Sequence, residues 1–159
     1  MSVEISTLLE AYAAGPVLLR ETVSSVDAAD LDKTPVAGKW SIRQVVCHIA
    51  DFEPVYVDRF KRILVEDNPT MYGGEPDDFA SRLYYEKRDV GLELDYIEMN
   101  RRHMLPILQQ CDIELFQRTG VHSEDGPLTL ETLLERISGH IQHHLPFIEE
   151  KIAALAAGA

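Results

Sequence analysis

The chain has 159 residues, of which 45% are hydrophobic and 26% charged; this is the composition of a folded domain and not of a disordered segment. The formal net charge of −12 argues against a nucleic-acid partner, because a phosphate backbone is bound through a basic surface. No apolar run approaches the ~20 residues of a membrane span, and no secretion signal is evident. We therefore expect one domain over residues 1–159, a cytoplasmic location and no membrane partner. Cys47 and Cys111 are interpreted as buried structural thiols.

Two helices are predicted in the first half of the chain. Apolar residues recur at helical spacing from Ile5 to Val26, although Gly15-Pro16 is expected to kink or interrupt that helix. After a loop rich in Asp, Pro and Gly, Ser41 and Gln44 fit a capping box that begins the second helix. This helix is expected to end near Asn68-Pro69.

Two more helices are predicted in the second half. A third helical region covers about Phe79 to Gln110, with Gly91 and Pro106 as weak points. The segment RTGVHSEDGPLT is interpreted as a connection rather than a strand. The fourth helix is predicted from Leu130, capped by Thr129, to about Ala156. Because no segment shows sustained alternation of apolar and polar residues, the sequence predicts an all-α four-helix bundle.

The fourth predicted helix carries three of the six histidines within five residues of the stretch GHIQHHLPFIEEKIAAL. His140 lies three residues beyond Ile137, and His144 lies three beyond Ile141, so both interrupt the apolar stripe of the helix. His143 falls on the opposite, solvent face. The spacing therefore predicts that His140 and His144 point inward and that His143 points outward.

An H-x-x-x-H pair on one buried helix face can bind a single divalent ion, because the two rings lie on adjacent turns. His48 strengthens this hypothesis, since it also interrupts an apolar row on the second helix. The alternative is that these are buried histidines hydrogen-bonded to neighbouring helices. His103 is interpreted as a surface residue, and His122 as an N-terminal cap of the fourth helix.

Two long motifs then resemble a known family. The run KWSIRQVVCHIADFEPVYVDR, residues 39–59, resembles the W-S-x-x-E/Q-x-x-x-H signature of the DinB/YfiT-like superfamily. The run HSEDGPLTLETLLERISGHIQHHLPFI, residues 122–148, resembles the closing segment of that family. The resemblance implies a four-helix bundle with up-down-down-up connections, often a homodimer. It also implies a divalent metal, nickel or zinc, whose ligands by motif position are His48, His140 and His144.

The resemblance further implies an enzyme acting on a small molecule, because relatives include transferases that use bacillithiol or mycothiol and a mycothiol-dependent maleylpyruvate isomerase. Three neutral histidines leave an open position at the ion, where a bound thiol or water would have a lowered pKa. We expect an S-transferase that activates a low-molecular-weight thiol. The alternatives are a metal-dependent hydrolase or isomerase, or a non-catalytic metal- or ligand-binding bundle. One departure is that the Gly-Gln often found after the last ligand is Pro146-Phe147 here.

Glu53, five residues beyond His48, has two interpretations. It is a candidate catalytic residue, as a general base or a hydrogen-bond partner near the metal. The alternative is a salt-bridge residue without a role in the reaction.

Overall fold

Four long helices and one short helix make up most of residues 3–158, which the computed structural model describes. The helices are α1 (Val3–Ser24), α2 (Ile42–Val65), α3 (Pro76–Arg82), α4 (Val90–Gln109) and α5 (Leu130–Gly158). Three short strands, β1 (Thr70–Met71), β2 (Thr119–His122) and β3 (Gly126–Thr129), form a small sheet. The predicted four-helix bundle is confirmed, with this sheet in addition. Among the described residues, no helix is both long and apolar enough to cross a bilayer.

Two clusters of buried side chains show the direction of each long helix. One cluster joins the first halves of α1 and α5 to the last halves of α2 and α4; its members include Ile5, Leu9, Phe60, Ile63, Met104, Leu108, Leu130 and Leu133. The other joins the opposite halves of the same helices; its members include Leu19, Val23, Ile42, Val45, Val90, Leu94, Ile141 and Ile148. Therefore α1 and α5 run one way and α2 and α4 the other, which is the up-down-down-up arrangement. Helices α2 and α5 are antiparallel neighbours.

Helix α1 continues through Gly15-Pro16, so of the two predicted effects, a kink or an interruption, the interruption is wrong. Proline has no N–H, and the carbonyl four residues earlier, on Tyr12, loses its helical partner. The Arg101 side chain replaces that partner, because its Nη1 donates to the Tyr12 oxygen at 2.9 Å. Gly15 leaves room for the guanidinium, since a Cβ at this position would lie 2.5 Å from Arg101 Nη1. The Gly-Pro pair therefore serves as a docking point for a side chain of α4.

The third predicted helix is two helices, α3 and α4, separated by a 3₁₀ turn at Tyr85–Lys87. The break occurs where Tyr84 adopts a left-handed backbone conformation, with φ of 53°. Helix α4 begins after Asp89, which is its N-cap: the Asp89 side chain accepts a hydrogen bond from the Leu92 N–H at 2.9 Å. The prediction of one continuous region was wrong because this N-cap was not recognised.

The segment predicted as a connection before α5 is a β-hairpin. Strands β2 and β3 pair in antiparallel fashion, with Gly126 at a φ of 76° in the turn, and β1 pairs with β2 in parallel. The strands have two to four residues each, too few to produce the alternation that indicates a strand in a sequence. The hairpin leads directly into α5, where Thr129 Oγ1 accepts from the Thr132 N–H at 3.0 Å, as expected for the cap.

Candidate metal centre

Three histidines from two antiparallel helices converge in the bundle. His48 lies on α2, two turns after a capping box in which the Gln44 N–H donates to Ser41 Oγ at 3.2 Å and the Ser41 N–H donates to Gln44 Oε1 at 2.8 Å. His140 and His144 lie one turn apart on α5. This cap sets the start of α2, and hence which face of the helix His48 occupies.

The ring nitrogens of the three histidines are close together. His140 Nε2 lies 3.1 Å from His48 Nε2 and 3.2 Å from His144 Nε2, and one nitrogen of each ring lies within 4.8 Å of the others. Nitrogen ligands of a tetrahedral zinc ion, bound at about 2.0–2.1 Å, lie about 3.3–3.4 Å apart. The two Nε2–Nε2 distances are thus close to the distance between two nitrogen ligands of one zinc ion.

Burial keeps these rings neutral, which leaves lone pairs for a metal. His48 is 6% exposed and His140 and His144 are half-buried. Desolvation, assisted by the charges of neighbouring histidines, lowers the pKa of His48 and of His144 to about 4 and that of His140 to about 2; at His48 the Asp51 carboxylate opposes part of the lowering. The rings of Trp40 and Phe52, centred 5.3 Å and 4.8 Å from the His48 ring, form part of the apolar surroundings.

Hydrogen bonds among the histidines cannot satisfy the cluster. In a neutral imidazole each ring nitrogen is either one donor or one acceptor. His140 Nε2 can therefore form a hydrogen bond with His48 Nε2 or with His144 Nε2, but not with both. The Nδ1 atoms of His48 and His140 are buried and have no hydrogen-bond partner within residues 3–158. These two rings therefore contact each other across α2 and α5 through Nε2, but neither Nδ1 atom bonds to a neighbouring helix. A single cation among the three Nε2 atoms would use all three lone pairs, and the residues present fit a divalent metal.

Glu53 lies in a buried ion pair rather than in the histidine cluster. Glu53 is fully buried, and its Oε1 accepts from Arg101 Nε at 2.9 Å and from Nη2 at 2.6 Å. Arg101 Nη2 also donates to the Ile137 carbonyl at 2.9 Å. This arrangement favours the salt-bridge interpretation of Glu53. Within residues 3–158 its carboxylate makes no hydrogen bond to His48, His140 or His144, and its role as a general base stays a prediction.

The other three histidines lie outside the cluster. His143 and His103 are exposed, as predicted. His122 does not cap α5; it is buried on β2, where its Nδ1 accepts from the N–H groups of Glu124 and Asp125 at 3.3 Å each. Its Nε2 lies 3.1 Å from Arg59 Nη2. The predicted cap was wrong because Thr129, at the end of the hairpin, already fills that position.

A cavity of about 240 Å³ opens beside the cluster. It lies between α5 and the residues before α2, and its lining is Gly38, Lys39, Trp40, Val45, His144, Phe147 and Lys151. Lys151 was not among the site residues predicted from the sequence. Lys151 follows His144 by seven residues and so lies on the same helix face, a signal that was present in the sequence.

Comparison with known proteins identifies a family and relatives whose names refer to a metal. Residues 11–148 match the family model described as the DinB superfamily. The chain is 28% identical over 133 residues to an Oceanobacillus iheyensis protein provisionally named a metal-dependent hydrolase, with 84% of this chain and 77% of the relative covered. A Bacillus cereus (strain 03BB102) protein with the same provisional name is 28% identical over 144 residues, with 91% and 83% covered.

Solved structures share the fold. YfiT from Bacillus subtilis, described provisionally as a metal-dependent hydrolase with an unusual four-helix bundle topology, superposes with a TM-score of 0.90 at 23% identity; 98% of this chain and 90% of YfiT are covered. A mycothiol-dependent maleylpyruvate isomerase superposes with a TM-score of 0.71 at 13% identity, with 92% of this chain and 62% of the isomerase covered. At these identities the likeness establishes the fold alone.

Proposed function

The chain belongs to the DinB superfamily, and from this premise we propose that it is a metal-dependent enzyme whose His48, His140 and His144 hold one divalent ion, nickel or zinc. The single observation that carries the proposal is the convergence of three neutral ring nitrogens, at 3.1 Å and 3.2 Å, in a site that hydrogen bonds cannot satisfy. The names of the curated relatives agree with a metal-dependent reaction.

A catalytic site is favoured over a purely structural one for two reasons. Among residues 3–158, no further His, Cys, Asp or Glu joins the group of three, so a bound ion would keep an open position. A cavity also reaches His144, so a small molecule could approach the centre. When bound, such an ion lowers the pKa of a thiol or water ligand and so supplies a nucleophile at neutral pH.

The residues around the centre would prepare the reaction. His140 and His144, one turn apart on α5, fix the direction of two ring nitrogens, and His48 supplies the third from α2. The rings of Trp40 and Phe52 pack next to the His48 ring and supply apolar surface beside it. A dry, apolar surrounding strengthens every electrostatic interaction at the site.

We favour a low-molecular-weight thiol, such as bacillithiol or mycothiol, as the nucleophile of an S-transferase. The thiolate sulphur would bond to an electrophilic carbon of the small-molecule substrate, whose leaving group departs with the electrons of the broken bond. The shared fold of a mycothiol-dependent isomerase supports this choice. A hydrolase that uses water is the second candidate, supported by the provisional names of the relatives.

Metal analysis of the purified protein tests the metal site. We expect close to one divalent ion per chain, and loss of that ion in His48→Ala and His144→Ala with little change in helical content. His143→Ala is the matched control, because His143 is exposed, adjacent to His144, and expected to leave the metal content unchanged. Equal metal content in all three variants would refute the site.

Turnover assays separate the two candidate reactions. The metal-loaded protein is incubated with bacillithiol, mycothiol or glutathione and a model electrophile such as monochlorobimane. In parallel it is incubated with an activated ester without thiol. Thiol-dependent conjugation lost in His144→Ala supports the transferase, and ester cleavage lost in the same variant supports the hydrolase. Neither activity in metal-loaded protein would favour a non-catalytic metal-binding bundle.

A further inference from the structure

A buried lysine without an anionic partner lies in the wall of the cavity beside the histidines. Lys151 on α5 is 2% exposed and lines the cavity together with His144. Its Nζ donates one hydrogen bond, to the Phe147 carbonyl at 2.9 Å. Among residues 3–158 it forms no ion pair, although the chain as a whole carries a net charge of −12.

An ammonium group carries three donors and a full positive charge, and burying it is costly unless it is paired. Burial lowers the pKa of Lys151, the Glu150 carboxylate raises it, and the Lys39 charge lowers it again. Lys39 lies on the exposed segment before α2, lines the same cavity and also has no ion pair among the described residues. Two cations, neither in an ion pair among the described residues, thus share one cavity.

The remaining cavity wall is apolar and aromatic. Trp40, Val45 and Phe147 line it, and Phe147 is 39% exposed at its edge. An aromatic or aliphatic group would pack against these side chains, and a charged end would lie near the two ammonium groups. Pockets of this kind, largely apolar with a few polar groups, bind and orient small ligands.

We propose that this cavity binds a small organic anion, a carboxylate with an apolar body, through Lys151 and Lys39. The carboxylate accepts hydrogen bonds from the buried Lys151 ammonium and interacts with the Lys39 charge, while Trp40 and Phe147 contact the apolar body. Because His144 lines the same cavity, the anchored anion lies next to the histidine cluster. The claim that this anion is the substrate rests on the proposed function. The claim that the cavity binds the anion does not depend on it.

Fluorescence of Trp40 tests this proposal, because it is the only tryptophan of the chain and lines the cavity. Metal-free and zinc-loaded protein are each titrated with 3-phenylpropionate and with its neutral counterpart, 3-phenylpropionamide. A charge-assisted hydrogen bond contributes about 1.5–3 kcal/mol, so we expect the anion to bind at least about tenfold more tightly than the amide in both forms.

Three variants identify the source of the preference. Lys151→Met keeps the length of the side chain, and we expect it to weaken binding of the anion about tenfold and leave binding of the amide unchanged. Lys39 is exposed and lies outside the helices, so Lys39→Met is expected to weaken binding of the anion with little effect on folding. Lys61→Met, on the exposed face of α2, removes the same charge elsewhere and serves as the control.

The outcomes distinguish this proposal from the metal site. Equal affinities for anion and amide, no saturable quenching by the anion, or an equal loss in Lys61→Met would overturn the anion pocket. If the protein binds no metal but metal-free protein still prefers the anion, the proposed function fails and the pocket stands. If zinc binds at the histidines without any preference for the anion, only the pocket fails.

Discussion

At the residue scale, two adjacent histidines with the same side chain have different surroundings and therefore different expected roles. His143 and His144 are consecutive, yet the first is exposed and the second lies in a cluster of three rings. Helical spacing alone predicted this difference, because a residue that interrupts an apolar stripe must point inward. Spacing could not predict the partner of Glu53, since Arg101 comes from α4, and the pairing depends on how four helices pack.

The lowered pKa values predict how acid affects the metal-free protein. His48 and His144 titrate near pH 4 when folded, against about 6.5 when unfolded, so the unfolded chain binds more protons between these values. The contribution of these two rings to stability is therefore constant above about pH 6.5 and falls as the pH drops from there to 4. If only one unit of the shift is effective at each ring, the loss is about 1.4 kcal/mol per ring, and the two rings together lower the melting temperature by roughly 5–10 °C.

Thermal melts of metal-free protein between pH 7 and pH 4 measure this effect. His48→Leu removes one titrating ring and should reduce the loss, whereas His143→Ala should show the same loss as the parent. An unchanged acid dependence in His48→Leu would contradict the assignment.

Replacing Glu53 by Gln should destabilise the fold without removing the metal. The substitution leaves the Arg101 charge buried without its carboxylate, which costs about 3–5 kcal/mol in comparable pairs. Urea unfolding measures the loss, and Glu114→Gln on the exposed 3₁₀ turn is the control. The double variant Glu53→Leu/Arg101→Met should lose less stability than the sum of the single losses. Loss of metal at full stability in Glu53→Gln would instead place Glu53 at the metal centre.

At the element scale, helices with a strong cap and a long apolar stripe were predicted well. The start of α2 at its capping box and the start of α5 at Thr129 are both confirmed. Apart from the unrecognised N-cap at Asp89, the failures share one cause: tertiary contacts override local preference. A side chain from α4 allows α1 to pass through Pro16, and the hairpin before α5 is stabilised by pairing with β1, which lies about fifty residues earlier. Neither partner can be seen in a short window of sequence.

Two glycine substitutions test the docking of Arg101 on α1. Alanine in place of a helical glycine usually stabilises by about 0.5–1 kcal/mol. We expect that gain for Gly139→Ala on the exposed face of α5, where an added Cβ meets nothing within 4 Å. In contrast, Gly15→Ala should destabilise, because its Cβ would lie 2.5 Å from Arg101 Nη1 and 3.1 Å from Ile141 Cδ1. Urea unfolding of both variants gives the sign directly, and a stabilised Gly15→Ala would contradict this account.

At the scale of the whole molecule, the histidine cluster links two helices that are distant in sequence. His48 and His140 are separated by 92 residues, so the cluster forms only when α2 and α5 have docked. The family and the bundle could be predicted from the two motifs, because both lie on these helices and occur in order. The cavity could not be predicted from the sequence, since one of its walls is a loop whose position helical spacing does not determine. The expected homodimer and the cytoplasmic location stay predictions.

Binding of a metal should therefore raise the stability of the entire bundle. An ion that binds only the folded state at a hundred times its dissociation constant adds about 2.7 kcal/mol. We expect zinc or nickel to raise the melting temperature of metal-free protein by roughly 5–10 °C at that excess. His140→Ala should abolish the rise and His143→Ala should keep it. A rise of equal size in His140→Ala would indicate binding elsewhere.

The cavity has walls of two different kinds. His144, Phe147 and Lys151 belong to α5, which also forms part of the hydrophobic core, whereas Gly38 and Lys39 belong to an exposed loop. Changes in α5 would disturb the core, whereas Lys39 is exposed and makes no ion pair among the described residues. Natural variation in substrate preference could therefore accumulate at this loop position while the centre on the helices stays intact, and engineering a new preference would best begin at Lys39.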